Sequence, residues 1–115
     1  MRVIIAGGRD YKPTTSSWFW LRDRLAELKA DEIVSGGAPG ADAMGEKIAE
    51  RLALKLTTFP AEWDKYGKAA GPIRNQKMAD YADACILFPG GRGTADMKAR
   101  AMARGLVIVE YPRCS

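Results

Sequence analysis

The sequence predicts an α/β fold, a doubly wound parallel sheet of about five strands with helices on both faces. Three observations carry this expectation. Short apolar, often β-branched runs alternate with segments whose apolar residues recur at helical spacing, as in repeated βαβ units. Glycine-rich turns follow three of the runs, at Gly7-Gly8-Arg9-Asp10, Ser35–Asp42 and Phe88–Thr94. At 115 residues the chain is long enough for one domain, expected to span residues 1–115.

The first strand is Arg2–Ala6 (RVIIA), a β-branched run stopped by Gly7-Gly8. A Thr/Ser cluster from Thr14 to Ser17 offers N-caps for a helix in which Trp18, Leu21, Leu25 and Leu28 share a face to about Lys29. Glu32–Ser35 is the second strand. Met44, Ile48 and Leu52, four apart, mark a helix from near Ala41. Leu54–Phe59 alternates as an edge strand. Pro60–Gly71 has no clear periodicity and is long for a connection, a length associated with functional or mobile loops. Pro72 suits the first turn of a helix running to about Ala82. Ala84–Phe88 is the fourth strand, and a helix from about Thr94 to Arg104 ends at Gly105 as its left-handed cap. Leu106–Glu110 is the last strand.

Composition narrows the chemistry. The chain is 47% hydrophobic and 28% charged, ordinary for a globular domain. No apolar run reaches the roughly 18–20 residues that span a bilayer, so no membrane partner is expected and the expected compartment is the cytoplasm. There is no histidine, which excludes Ser-His-Asp and Cys-His machinery and histidine metal sites. Cys85 falls in a strand and Cys114 in the tail, so neither a disulfide nor a zinc framework is expected, and no metal or cofactor. A net charge of +4 suits an anionic partner, though dispersed Lys and Arg are equally a solvated surface.

All three glycine turns sit at carboxyl ends of strands, the edge where open α/β sheets bind ligands. Gly90, Gly91 and Gly93 let the backbone approach a ligand closely, and the free N–H groups of a helix's first turn favour a phosphate. None of the turns is a Walker A loop or a strict G-x-G-x-x-G. The expected phosphate or nucleotide site comprises Gly7, Gly8, Arg9 and Asp10, then Ser35, Gly36, Gly37, Gly40 and Asp42. It continues through Arg74 and Asn75 to Pro89, Gly90, Gly91, Arg92, Gly93 and Thr94. Asp42 either complements its helix dipole or accepts hydrogen bonds from a ribose or base. Asp10 either forms an Asx turn or does the same. Arg74, on the first turn of its helix, offers a bidentate phosphate clamp. Lys98 and Arg100 are read as solvated charges.

GGRDY (Gly7–Tyr11), VSGGAPGAD (Val34–Asp42) and GPIRNQKMADYADACILFPGGRGTADM (Gly71–Met97) occur in order across nearly the whole chain. This combination resembles the SLOG superfamily of Rossmann-like nucleotide-binding domains, and within it the YspA-type, cpYpsA-related branch of bacteria and phages. The resemblance implies a Rossmann-like fold and a nucleotide ligand. The same superfamily includes the lonely-guy phosphoribohydrolases, which cleave a nucleoside monophosphate at its N-glycosidic bond. Arg74 and Met78 match their Arg-Lys-x-x-Met helix, and Pro89–Thr94 match their P-G-G-x-G-T-x-x-E loop, but Met97 stands where that motif has its catalytic Glu. The hydrolase chemistry therefore does not transfer intact.

Three functions follow. One is a sensor or processing domain for an AMP-, ADP-ribose- or NAD-like nucleotide. Another is N-glycosidic hydrolysis with Arg74 and Asp96 as catalytic residues, Asp42 or Glu62 being other substitutes for the missing Glu; Met97 weighs against it. The last is binding of single-stranded nucleic acid, which some relatives do, with Trp63 or Tyr66 stacking on bases. Core packing is the first account of the aromatic face of Trp18, Phe19 and Trp20, with a subunit interface or a wall of the ligand site as the alternatives. Self-association is expected by analogy with small domains of this kind, and this face is its candidate.

Overall fold

The computed structural model describes residues 1–112; Cys114 lies outside them. Five strands form one parallel sheet in the order β3-β2-β1-β4-β5. They are β1 (Arg2–Ala6), β2 (Glu32–Ser35), β3 (Lys55–Thr58), β4 (Ala84–Leu87) and β5 (Val107–Glu110). The helices are α1 (Thr15–Glu27), α2 (Ala41–Arg51), α3 (Trp63–Tyr66), α4 (Ala70–Tyr81) and α5 (Arg92–Ala103). No helix among the described residues is long and apolar enough to cross a membrane.

Why the sheet is covered on both sides follows from the strand pleat. Successive side chains of a strand point to opposite faces, so Val3 and Ile5 join one core cluster while Ile4 and Ala6 join the other. The first cluster is completed by Leu21 and Leu25 of α1 and by Met44 and Ile48 of α2. The second takes Met78 and Ala79 from α4 and Met97 and Ala101 from α5. The α1–α2 pair therefore covers one face and the α4–α5 pair the other. Beyond Arg2 and Glu32 at their amino ends, β1, β2 and β4 are accordingly apolar or small runs, whereas the edge strands β3 and β5 are partly exposed.

Local chemistry sets the element ends. Thr14 caps α1 through a reciprocal pair in which Ser17 N–H donates to Thr14 Oγ1 at 3.1 Å and Thr14 N–H to Ser17 Oγ at 2.7 Å. The helix stops two residues short of the expected end, because Lys29 adopts a φ of 52°. α4 starts at Ala70, earlier than Pro72 suggests. Proline is then the third helical residue, still within the turn whose N–H groups have no helical acceptor. Arg74 consequently lies in the second turn and not the first. The Pro60–Gly71 stretch is structured too, holding α3 and a 3-10 turn at Gly67–Ala69. α5 begins at Arg92, two residues before Thr94.

Two of the three aromatics on the candidate subunit face are used within the chain. Trp20 packs edge-on against Phe88 and Tyr111, and Arg51 covers Trp18, leaving Phe19 exposed.

At the amino edge of the sheet, Glu32 is buried but fully engaged. It accepts hydrogen bonds from the Tyr81 hydroxyl at 2.5 Å and Thr57 Oγ1 at 2.9 Å, with Lys55 Nζ at 3.6 Å. The Tyr81 bond holds the carboxyl below its ordinary value, against the upward pull of burial and with help from Thr57 and Lys55. Its stabilising contribution is present above the unfolded value and lost as acid protonates it. Tyr81→Phe is expected to cost about 2 kcal/mol near neutrality, the scale of a hydrogen bond to a charged group. Urea denaturation measures this, and a loss indistinguishable from zero would show that Glu32 is held by its other partners alone.

Candidate functional site

The strand order reverses between β1 and β4, and at their carboxyl ends lies a crevice of about 1120 Å³. The three glycine turns meet there, largely by packing on one another. Gly8 N–H donates to Pro89 O at 2.8 Å, and Ala41 N–H donates to Gly8 O at 3.3 Å. A Cβ on Gly90 would strike Thr94 Oγ1 and Gly8 N, and one on Gly40 would strike Gly8 O and Arg9 O. These contacts explain which expected residues reach the crevice. Gly7, Gly8 and Arg9 line it, as do Gly36, Gly37 and Asp42, and Gly91 through Thr94. Asp10, Ser35, Gly40, Pro89 and Gly90 lie outside the lining; Gly40, Pro89 and Gly90 are where the turns touch.

The turns also differ in what their donors do. In the second, Gly37 N–H donates to Ser35 Oγ at 3.1 Å and Ala38 N–H to Asp42 Oδ2 at 3.2 Å. Two of that turn's N–H groups are thus engaged by its own side chains, and Asp42 sets a carboxylate in the first turn of α2. In the third, no side chain caps α5. Among the described residues no acceptor serves the N–H groups of Arg92, Gly93 or Thr94. α5 therefore presents an open first turn beside the Arg92 guanidinium, while α2 carries its own carboxylate.

Asp42 is 8% exposed. Burial pushes its carboxyl up to about 6, against the pull of the Ala38 N–H and the Arg74 guanidinium, with Glu46 pushing the same way as burial. Glu46 Oε2 accepts from Ser35 Oγ at 3.0 Å, and its side chain joins Asp42 in the crevice lining. Arg74 is held across the cleft, Nη1 donating to Gly36 O at 2.7 Å and Nε to Asn75 Oδ1 at 3.0 Å. Asn75 is buried and ties α4 to α5, donating to Asp96 Oδ2 at 2.9 Å and Gly93 O at 3.3 Å.

Asp96 reaches the crevice but is clamped. Arg100 Nε donates to the same Oδ2 at 2.9 Å, and also reaches Gln76 through Nη1. Burial raises the carboxyl, but the bonds from Arg100 and Asn75 outweigh it, leaving Asp96 below its ordinary value. An ionised, doubly bonded carboxylate is a poor proton donor. Arg100 is thus an Asp96 partner and not a free solvated charge, and Lys98 pairs with Glu110 at 2.9 Å. Met97 is buried with Met78 in the floor of the crevice, and Glu62 is exposed and outside the lining.

Glu46, Thr58 and Trp63 also line the crevice, though nothing in the turn motifs pointed to the first two and Trp63 stood out only as a surface aromatic. The available signal for Glu46 is its position four residues after Asp42, on the same helical face.

The model of the family described as YspA, cpYpsA-related SLOG matches residues 1–66, which contain the first two glycine turns. The Gene 61 protein of Mycobacterium phage D29 is 34% identical over 119 residues, covering 96% of this chain and 95% of that protein. The X-ray structure of TM1055, a Northeast Structural Genomics Consortium target, is 18% identical with a TM-score of 0.66. It covers 93% of this chain and 71% of its own. That likeness is one of fold.

Proposed function

The chain belongs to the YspA, cpYpsA-related SLOG family, and from that premise we propose that its crevice binds a nucleotide or nucleotide derivative of the AMP, ADP-ribose or NAD type. The open first turn of α5 carries this reading. Its unserved N–H groups and Arg92 suit a phosphate. The Gly36–Gly40 turn suits a phosphate less well, because Ser35 and Asp42 engage two of its donors and Asp42 adds a carboxylate to the first turn of α2. In this reading Asp42 serves the ribose as an acceptor and Arg74 as a donor through Nη2, its Nε and Nη1 being engaged by Asn75 and Gly36. The crevice volume of about 1120 Å³ slightly exceeds the roughly 1,000 Å³ to which small-molecule sites run, and leaves room for the larger, ADP-ribose-like ligands.

AMP, ADP-ribose and NAD at millimolar concentration are expected to raise the unfolding temperature, since a ligand of the folded state alone must stabilise it. Adenosine, lacking the phosphate, is expected to do so much less. Equal shifts from adenosine and AMP would remove the phosphate from the reading.

One observation favours a second reading, N-glycosidic hydrolysis. Asp42, poised near neutrality beside Glu46, has the protonation behaviour of a general acid that Asp96 lacks. Release of adenine from AMP or nicotinamide from NAD, lost in Asp42→Asn but kept in Asp96→Asn, would establish turnover with Asp42 as its acid.

A further inference from the structure

The crevice changes character along its length. At the α5 end it is backbone donors and Arg92; at the other it is Pro60, Ala61, Trp63 and Pro72. α4 connects the two ends and gives the spacing. Asn75 touches Gly93 O beside the α5 turn. Gly71, four residues earlier and so about 6 Å back along the helix axis, faces the indole of Trp63. Trp63 Cη2 lies 3.5 Å from where a Cβ on Gly71 would stand, so the missing side chain leaves the ring its place against the helix.

Trp63 has no core role to explain it. It is 58% exposed, and the short helix that carries it buries none of its residues. A large, exposed aromatic side chain on the concave wall of a crevice calls for an account, unlike a scattered surface leucine. Among the described residues it is also the aromatic that lines the crevice. Tyr66, three residues on, lies outside the lining with Lys65 over its ring.

We infer that Trp63 is the platform on which a nucleobase stacks, so that the site selects ligands carrying both a phosphate and a planar base over phosphorylated sugars. This inference rests on the nucleotide reading of the crevice. The phosphate lies at the α5 turn, the sugar passes Arg74 and Asp42, and the base reaches the indole. The four-residue step along α4 from Gly71 to Asn75, about 6 Å, sets the two contacts on successive turns of one helix. A single platform serves one base. A nucleic-acid strand needs successive aromatic platforms and a basic track, and Tyr66 is turned to a different use.

Calorimetric titration of ribose 5-phosphate, AMP and a thymidine oligonucleotide into wild type, Trp63→Ala and Trp63→Phe tests this. AMP is expected to bind wild type about tenfold or more tighter than ribose 5-phosphate, and Trp63→Ala to remove about tenfold from AMP while leaving ribose 5-phosphate within about twofold. Trp63→Phe, which keeps a stacking face, is expected to retain most of the AMP affinity. Wild type binding AMP and ribose 5-phosphate equally, or Trp63→Ala weakening both alike, would overturn the platform while leaving a phosphate site standing. Binding of neither small ligand would overturn both the platform and the reading beneath it. A Trp63-dependent preference for the oligonucleotide would assign the indole to a strand instead.

Discussion

Replacing Asp42 with asparagine is expected to make the protein about 2–3 kcal/mol more stable at pH 7 and to flatten its stability between about pH 4 and 6. The side chain is buried under the Gly36–Gly40 turn, and burial raises its carboxyl from 3.8 to about 6. Between those values the folded protein binds more protons than the unfolded chain. Stability from this group is therefore fully present below about 4 and falls as pH rises through about 6. The rise from 3.8 to about 6 amounts to about 3 kcal/mol at neutrality, at about 1.4 kcal/mol for each pKa unit. Asparagine removes the buried charge and keeps a carbonyl for the Ala38 N–H, though it gives up the attraction of Arg74. Glu32 and Asp96 have carboxyls shifted the other way, so the whole-protein pH profile mixes opposing slopes. The difference between variant and wild type isolates Asp42. Denaturant unfolding at a series of pH values measures it. A variant no more stable than wild type at pH 7 would mean that Asp42 is better solvated, or better paired with Arg74, than its burial implies. A buried carboxylate that lowers stability while lining a crevice is a candidate for ligand contact, so the stabilised variant is also expected to bind nucleotide more weakly.

The architecture was legible because each signal was local and consistent. The runs VIIA and ACIL sit in the sheet interior, and their apolar character reports burial on both faces. Gly105 marks the end of α5 with a φ of 73° because the chain there must turn left-handed. The Pro60–Gly71 stretch failed for the converse reason. α3 has four residues and buries none of them, so no periodicity records it. The crevice was legible as a set of turns but not as a division of labour. Motif reading treats every glycine turn as a phosphate cradle, yet whether its N–H groups are free depends on which side chains fold back onto them. Ser35 and Asp42 engage two N–H groups of the second turn, and among the described residues no side chain engages those of the third. Asp96 shows the same limit, because its suitability as an acid is decided by Arg100 one turn along and Asn75 across the helix pair.

Gly40→Ala is expected to cost about 3–5 kcal/mol, combining a disallowed backbone with a clash that cannot relax. Gly40 has a φ of 76° and a ψ of −124°, a conformation that a side chain makes unfavourable. A methyl group there would run into Gly8 O and Arg9 O, which are backbone atoms of the neighbouring turn. Gly8 is in turn fixed, since its N–H donates to Pro89 O and its carbonyl accepts from Ala41 and Tyr11. Moving it to admit the methyl would separate all three turns at once. A loss of this size is a large part of the roughly 5–15 kcal/mol that holds a domain together. Gly93→Ala is the control, because a Cβ at Gly93 meets nothing within 4 Å and the position is helical. There the greater helix propensity of alanine is expected to leave stability unchanged or raise it by up to about 1 kcal/mol. Thermal and urea unfolding of the two variants side by side decides the matter. If Gly40→Ala unfolds within about 1 kcal/mol of wild type, a difference typical of an arbitrary substitution, the turns are not locked together, and Gly40 reverts to a candidate for contact with the ligand. The expected outcome divides the glycines into two groups with different duties. Gly40 and Gly90 seat the turns against each other, and Gly91 and Gly93 leave the first turn of α5 open to the crevice.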